Sequence, residues 1–161
     1  MPISSPKALL FIALGLLLPL LAGCSGDQAS PEEQIRVMLS AGERAVESRS
    51  VSAVQAHISE QYQDESGNDG RALARLLTGY FITHQSIHLL MQIGPITLMG
   101  ADQAETTVFV AVAGQPLEAT ADLLSLRADL LRFDLKLVNE ASQWRVRSAR
   151  WRRANSQDFL R

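Results

Sequence analysis

The chain has a single cysteine, Cys24, among its 161 residues. No internal disulfide can form, so the fold must hold without a covalent staple. Histidine is scarce too, with only His57, His84 and His88. His84 and His88 stand four apart, but Gln85-Ser86 separates them where a helical pattern gives way to an alternating one. They do not share a helix face as a ligand pair would, so no metal site is expected. HExxH, GxSxG and phosphate-loop patterns are absent, and no cofactor is expected. Neither sign of charge dominates, with 15 basic against 17 acidic residues. That balance gives no general affinity for nucleic acid, which is not expected as a partner. No apolar run reaches the 18 or so residues of a membrane-spanning helix. The longest, residues 8–21, spans fourteen.

That run has the proportions of a signal-peptide core, with Lys7 ahead of it and small residues at its end. It closes on Leu21-Ala22-Gly23-Cys24, which resembles the lipobox of bacterial lipoproteins. The resemblance implies cleavage before Cys24 and acylation of its thiol, which also removes thiol catalysis from consideration. Two or three acyl chains hold a protein firmly on a membrane, where one does so only marginally. The expected location is membrane-anchored and facing the periplasm. Ser25, where an aspartate would signal inner-membrane retention, favours the outer membrane over the inner. Removing residues 1–23 from the 161 leaves 138, enough for one domain with a real core. The division read from the sequence is 1–23 signal peptide, 24–30 lipidated cysteine and tether, 31–154 domain, and 155–161 tail.

Within the domain, Ser30, Pro31, Glu32 and Glu33 open a first helix in the manner of an N-cap, a first-turn proline and dipole-matched acids. Ile35, Met38, Leu39, Gly42, Ala45 and Val46 form its apolar stripe, with Glu43, Arg44 and Glu47 placed on the opposite face. Ser50 caps a short second helix carrying Val51, Val54 and Ile58, with His57 at its surface. The polar turn of residues 64–70 precedes a third helix over residues 70–84. From residue 87 onward the period becomes two: strands are predicted over 87–99 with a kink at Gly94-Pro95, then 104–113, 128–139 and 144–153. Residues 116–126 read as a loop with a helical turn or as a wide excursion. Helices first and antiparallel strands after make an α+β fold, with the helices packed on a curved sheet of about four strands.

This order resembles the nuclear transport factor 2-like superfamily, the cystatin-like cone fold. A second helix ending in Ile58-Ser59-Glu60-Gln61-Tyr62 carries the likeness, as do closing strands with Phe133 to Leu137 and Trp144 to Ser148. The resemblance implies a conical pocket between helices and sheet. It does not by itself give a function, since the fold hosts isomerases, dehydratases and non-catalytic binding modules. Enzymes of the fold place an aspartate or histidine, often with a tyrosine, inside the cone. The candidates here are Tyr62, Asp64, Tyr80, His88 and Asp134, with Tyr80 and His88 foremost. Asp64 belongs to a turn, and Asp134 alternates with Arg132 and Lys136 as on a solvated sheet face.

The last strand concentrates Arg145, Arg147, Arg150, Arg152 and Arg153 between Trp144 and Trp151. With Trp151, four of them (Arg145, Arg147, Arg150 and Arg153) make a candidate interface to anionic lipid or an acidic partner. The simpler reading is a charged edge strand paired with Asp129, Asp134 and Glu105. Residues 108–113 (VFVAVA) are apolar on both faces, so the face away from the helices needs cover, either from a second copy of the chain or from residues 116–126. The functional expectation is a lipid-anchored envelope module that binds a small apolar ligand or an envelope protein. Its alternatives are an isomerase or dehydratase using a polar residue in the cone, and an envelope protein that uses the arginine strand structurally.

Overall fold

The computed structural model describes residues 29–116 and 128–159. Cys24 and the lipidation expected there, the expected signal peptide and most of the expected tether lie outside the described residues, as does most of the segment 116–126. Helix α1 runs Pro31–Glu47, and the Ser30 hydroxyl accepts the Glu33 amide at 3.2 Å. It ends where Arg49 takes a left-handed φ of 53° and the Ser50 amide reaches back to the Ala45 carbonyl at 3.0 Å. Ser50 then caps the five-residue α2, Val51–Gln55, by accepting the Ala53 amide at 3.3 Å. This helix is shorter than its apolar spacing predicts, because the chain turns to pair with the sheet. The Val146 amide donates to the His57 carbonyl at 2.9 Å, and the Ser59 amide to the Val146 carbonyl at 3.0 Å. His57 therefore lies beyond the helix and is half-buried; burial, with Arg145 and Arg44 nearby, holds its pKa below the ordinary value. Helix α3, Gly70–Thr83, starts on the Asp69 carboxylate, which accepts the Ala72 amide at 2.8 Å.

Four antiparallel strands follow in the order β1 (His88–Leu98), β2 (Gln103–Ala113), β3 (Asp129–Glu140) and β4 (Gln143–Arg153), each beside the next. The α+β architecture and the curved four-stranded sheet are as the sequence pattern predicts. The kink at Gly94-Pro95 is a register shift between Ile93 and Ile96. Glycine is required there: a Cβ on Gly94 would stand 2.9 Å from the Thr107 carbonyl oxygen. A second shift in β4 leaves Arg147 as the extra residue between Val146 and Ser148.

Alternation along the strands gives the sheet two unlike faces. One carries Val108, Leu135, Leu137, Val146 and Trp144, which pack on Ile35, Met38 and Leu39 of α1 and on Tyr62 to form the main core. The other carries Ala111, Leu90, Phe109 and Leu130, and these are met by Phe159 from a short 3₁₀ helix, Ser156–Phe159. Phe159 is only 3% exposed, and its ring centroid lies 5.8 Å from that of Phe109. The tail thus supplies cover for the outer apolar patch. Both sheet edges are also occupied. The segment after α2 lies along β4, and the Glu47 carboxylate accepts the Leu89 amide on the free edge of β1 at 2.9 Å.

Candidate functional site

Between α1, α3 and the inner face of the sheet lies a cavity of about 780 Å³. Val46, Leu73, Leu77 and Phe81 wall it from the helices, and Leu89, Val110, Val112, Leu131 and Phe133 from the strands. A cavity of this size and lining suits a small organic molecule. Leu76 and Trp151 are 58% and 53% exposed, which puts them at the mouth, with Tyr80 beside them. Asp129 and Arg153 form the rim, Arg153 Nη1 standing 3.6 Å from the Asp129 carboxylate.

The polar lining is short, and its charged members are acidic but for Arg153. Tyr62 is buried to 6% exposure, and desolvation with the nearby Asp64 charge pushes its hydroxyl up to about 12. It is a hydrogen-bond donor and acceptor over the working pH range, never a phenolate. Desolvation opposes ionisation of Asp64, but the Asn68 side chain and the amides of Asn68, Ser66 and Gly67 outweigh it and hold its pKa low. Tyr80 is raised by burial and then by the Asp129 charge, and its ring stacks on His84 at 4.0 Å.

Glu43 is the residue that sequence reasoning placed wrongly. It lines the cavity rather than the solvent face of α1. Burial first, and the neighbouring Glu47 second, raise its pKa, while a hydrogen bond from the Met91 amide and the Arg44 charge pull it back. The signal was present: Glu43 is four residues after Leu39 and three before Val46, so it shares their helical face. Assigning it by charge rather than by angle hid it.

The other candidates scatter. His88 opens β1 on the face away from the cone, with Nε2 3.2 Å from Ser86 Oγ. Asp134 is also on the outer face, where Arg132 binds it at 2.8 Å and the Thr107 hydroxyl donates to it at 2.7 Å. Desolvation is outweighed there by these bonds and by the Arg132 and Arg150 charges, so its pKa is lowered. Among the described residues no three His, Cys, Asp or Glu side chains converge as a metal cage, and no helix is long and apolar enough to cross a membrane.

The arginines of β4 do not form one surface. Arg153 and Trp151 belong to the cone mouth, whereas Arg150 and Arg145 point outward toward Glu65 and Glu140, at 3.6 and 3.9 Å. Arg147 at the bulge donates to Gln61, and Arg152 stands 4.0 Å from Asp158. Of the partners expected from sequence, only Asp129 is taken by one of these arginines; Asp134 pairs with Arg132 and Glu105 with Lys136.

No family model and no curated protein matches the chain. Solved structures do. A scytalone dehydratase-like protein from Novosphingobium aromaticivorans matches with a TM-score of 0.65 at 12% identity, over 77% of this chain and 84% of that one. A cystatin-like domain of unknown function from Nostoc punctiforme gives 0.61 at 17% identity, over 83% and 85%. Bd1075 from Bdellovibrio bacteriovorus gives 0.62 at 8% identity; 76% of this chain is covered, but it spans only 40% of that longer protein. These likenesses establish the nuclear transport factor 2-like cone fold, and at such identities they establish the fold alone.

Proposed function

We propose that the protein is a lipid-anchored binding module of the bacterial cell envelope, facing the periplasm, whose cone takes a small and mainly apolar ligand. The observation that carries the reading is the cavity of about 780 Å³, whose walls from α1, α3 and the strands are mainly apolar. Burial of apolar surface drives association there, while Tyr62, Glu43 and the rim residues orient the polar end. Cys24 at the close of the apolar leader supports the anchor, with the outer membrane favoured by Ser25. A neutral solvatochromic dye tests the cone directly. Its fluorescence should rise with the protein and fall back when Val110→Trp fills the cavity. An unchanged signal in that variant would place the dye elsewhere and defeat the reading. The anchor is tested separately by Cys24→Ser, which should move the protein out of the membrane fraction.

Glu43 favours a second reading, an isomerase- or dehydratase-type enzyme, because a carboxyl of raised pKa lining an apolar cavity that also holds tyrosines suits proton transfer. It requires that a carbonyl compound be turned over, and that Glu43→Gln stop turnover while dye binding persists.

A further inference from the structure

The polar groups lining the cone carry a sign, and that sign selects the ligand. Resting on the binding-module reading above, we infer that the cone prefers a lipophilic cation, an ammonium-bearing molecule with an apolar body, over an alcohol or a fatty-acid-like anion of the same shape. Three carboxylates, Glu43, Asp64 and Asp129, line the cavity among the described residues. They come from α1, from the turn before α3 and from β3, so they face the same space from three sides. The described lining holds one cation, Arg153, and its guanidinium is already 3.6 Å from Asp129. A carboxylate ligand would meet Asp64 and the Glu43 carboxyl, while the one described cation of the lining is already engaged by Asp129.

The apolar wall sharpens this preference. Water that would screen the charges is displaced when an apolar body fills the cavity, so their attraction for an ammonium strengthens as the site fills. Aromatic faces add to it: Tyr62, Tyr80, Phe133 and Trp151 all line the cavity, and ring faces attract ammonium groups. Glu43 is held toward its neutral form mainly by burial and by Glu47 beside it. A bound ammonium would favour its charged form, which couples that residue to the cation.

Three probes sharing one rigid skeleton separate the terms: 1-adamantylmethylammonium, 1-adamantylmethanol and 1-adamantanecarboxylate. Each is titrated calorimetrically into the full-length chain in phosphatidylcholine nanodiscs, with empty nanodiscs as reference. The ammonium should bind about tenfold tighter than the alcohol, and the carboxylate weakest. Glu43→Gln should narrow the ammonium-to-alcohol ratio by weakening the ammonium more than the alcohol. Asp129→Asn, at an exposed rim position, should narrow it further. Equal affinities for ammonium and alcohol, or a tighter carboxylate, would overturn the charge preference while the pocket stands. No binding by any of the three, together with dye fluorescence indifferent to Val110→Trp, would remove the binding-module reading itself.

Discussion

The two faces of one sheet were built from the same alternating strands and ended in opposite conditions. The inner face is closed by helices only in part and keeps a cavity of about 780 Å³ with a carboxyl, Glu43, whose pKa is raised. The outer face has its apolar patch plugged by Phe159, and its carboxyl, Asp134, has a lowered pKa because Arg132 and Thr107 bind the charged form. The apolar patch of the outer face is covered by the tail, whereas the apolar wall of the inner face borders open space.

Truncation should give the largest contrast. Phe159→Ala uncovers Ala111 and Phe109 and should cost about 3 kcal/mol in chemical denaturation, the range for buried aromatic truncations. Leu131→Ala, facing a cavity that is already open, should cost less than about 1 kcal/mol, since it creates little new void. Comparable costs for the two variants would mean that the cone is as tightly filled as the outer patch.

A smaller effect is expected where the sheet bends. Gly94→Ala forces a Cβ to within 2.9 Å of the Thr107 carbonyl oxygen and should destabilise by about 2 kcal/mol. Because β1 and β2 must separate to admit it, dye binding in the cone should weaken as well. A variant that loses stability but binds normally would show that the bend and the cone are independent.

The smallest effects, below about 1 kcal/mol each for such partly exposed groups, should differ in sign between the faces. Asp134 has a folded pKa below its ordinary 3.8, so its contribution is complete above 3.8 and is lost as the pH falls through the lowered value. Asp134→Asn should therefore destabilise at neutral pH, the difference fading in acid. Glu43 has a folded pKa above 4.5, so its contribution is complete below 4.5 and is lost as the pH rises through the raised value. Glu43→Gln, which keeps an oxygen for the Met91 amide, should gain stability at pH 7 relative to pH 4. Urea denaturation at both pH values reads the two signs, and a shared sign would dissolve the electrostatic half of the comparison.

Much of the fold was legible because its signals are local. Ser30, Ser50 and Asp69 accept amides of the turns they begin, which involves no residue more than three positions away. The strands showed through their period of two, and Gly94-Pro95 marked its own bulge. The bulge at Arg147 left no such mark, since neither glycine nor proline stands there and the irregularity comes from pairing with the chain after α2. The site was less legible than the fold. Tyr62 and Tyr80 do line the cone, and Asp134 faces away from it as its alternation with Arg132 and Lys136 indicated, whereas His88, foremost among the candidates, also faces away because of its register at the start of β1.

The lone Cys24 with its apolar leader, the capped helices, the four strands and their α+β order were determined by the sequence itself, because each depends on neighbours along the chain. Only the tertiary structure decided that Glu43 turns into the cone, that the β4 arginines divide between two faces, and that Phe159 of the tail meets the patch at Ala111. Those outcomes depend on which surfaces meet across distant parts of the chain. Burial, and the charge state it dictates, belongs to that meeting rather than to any single segment.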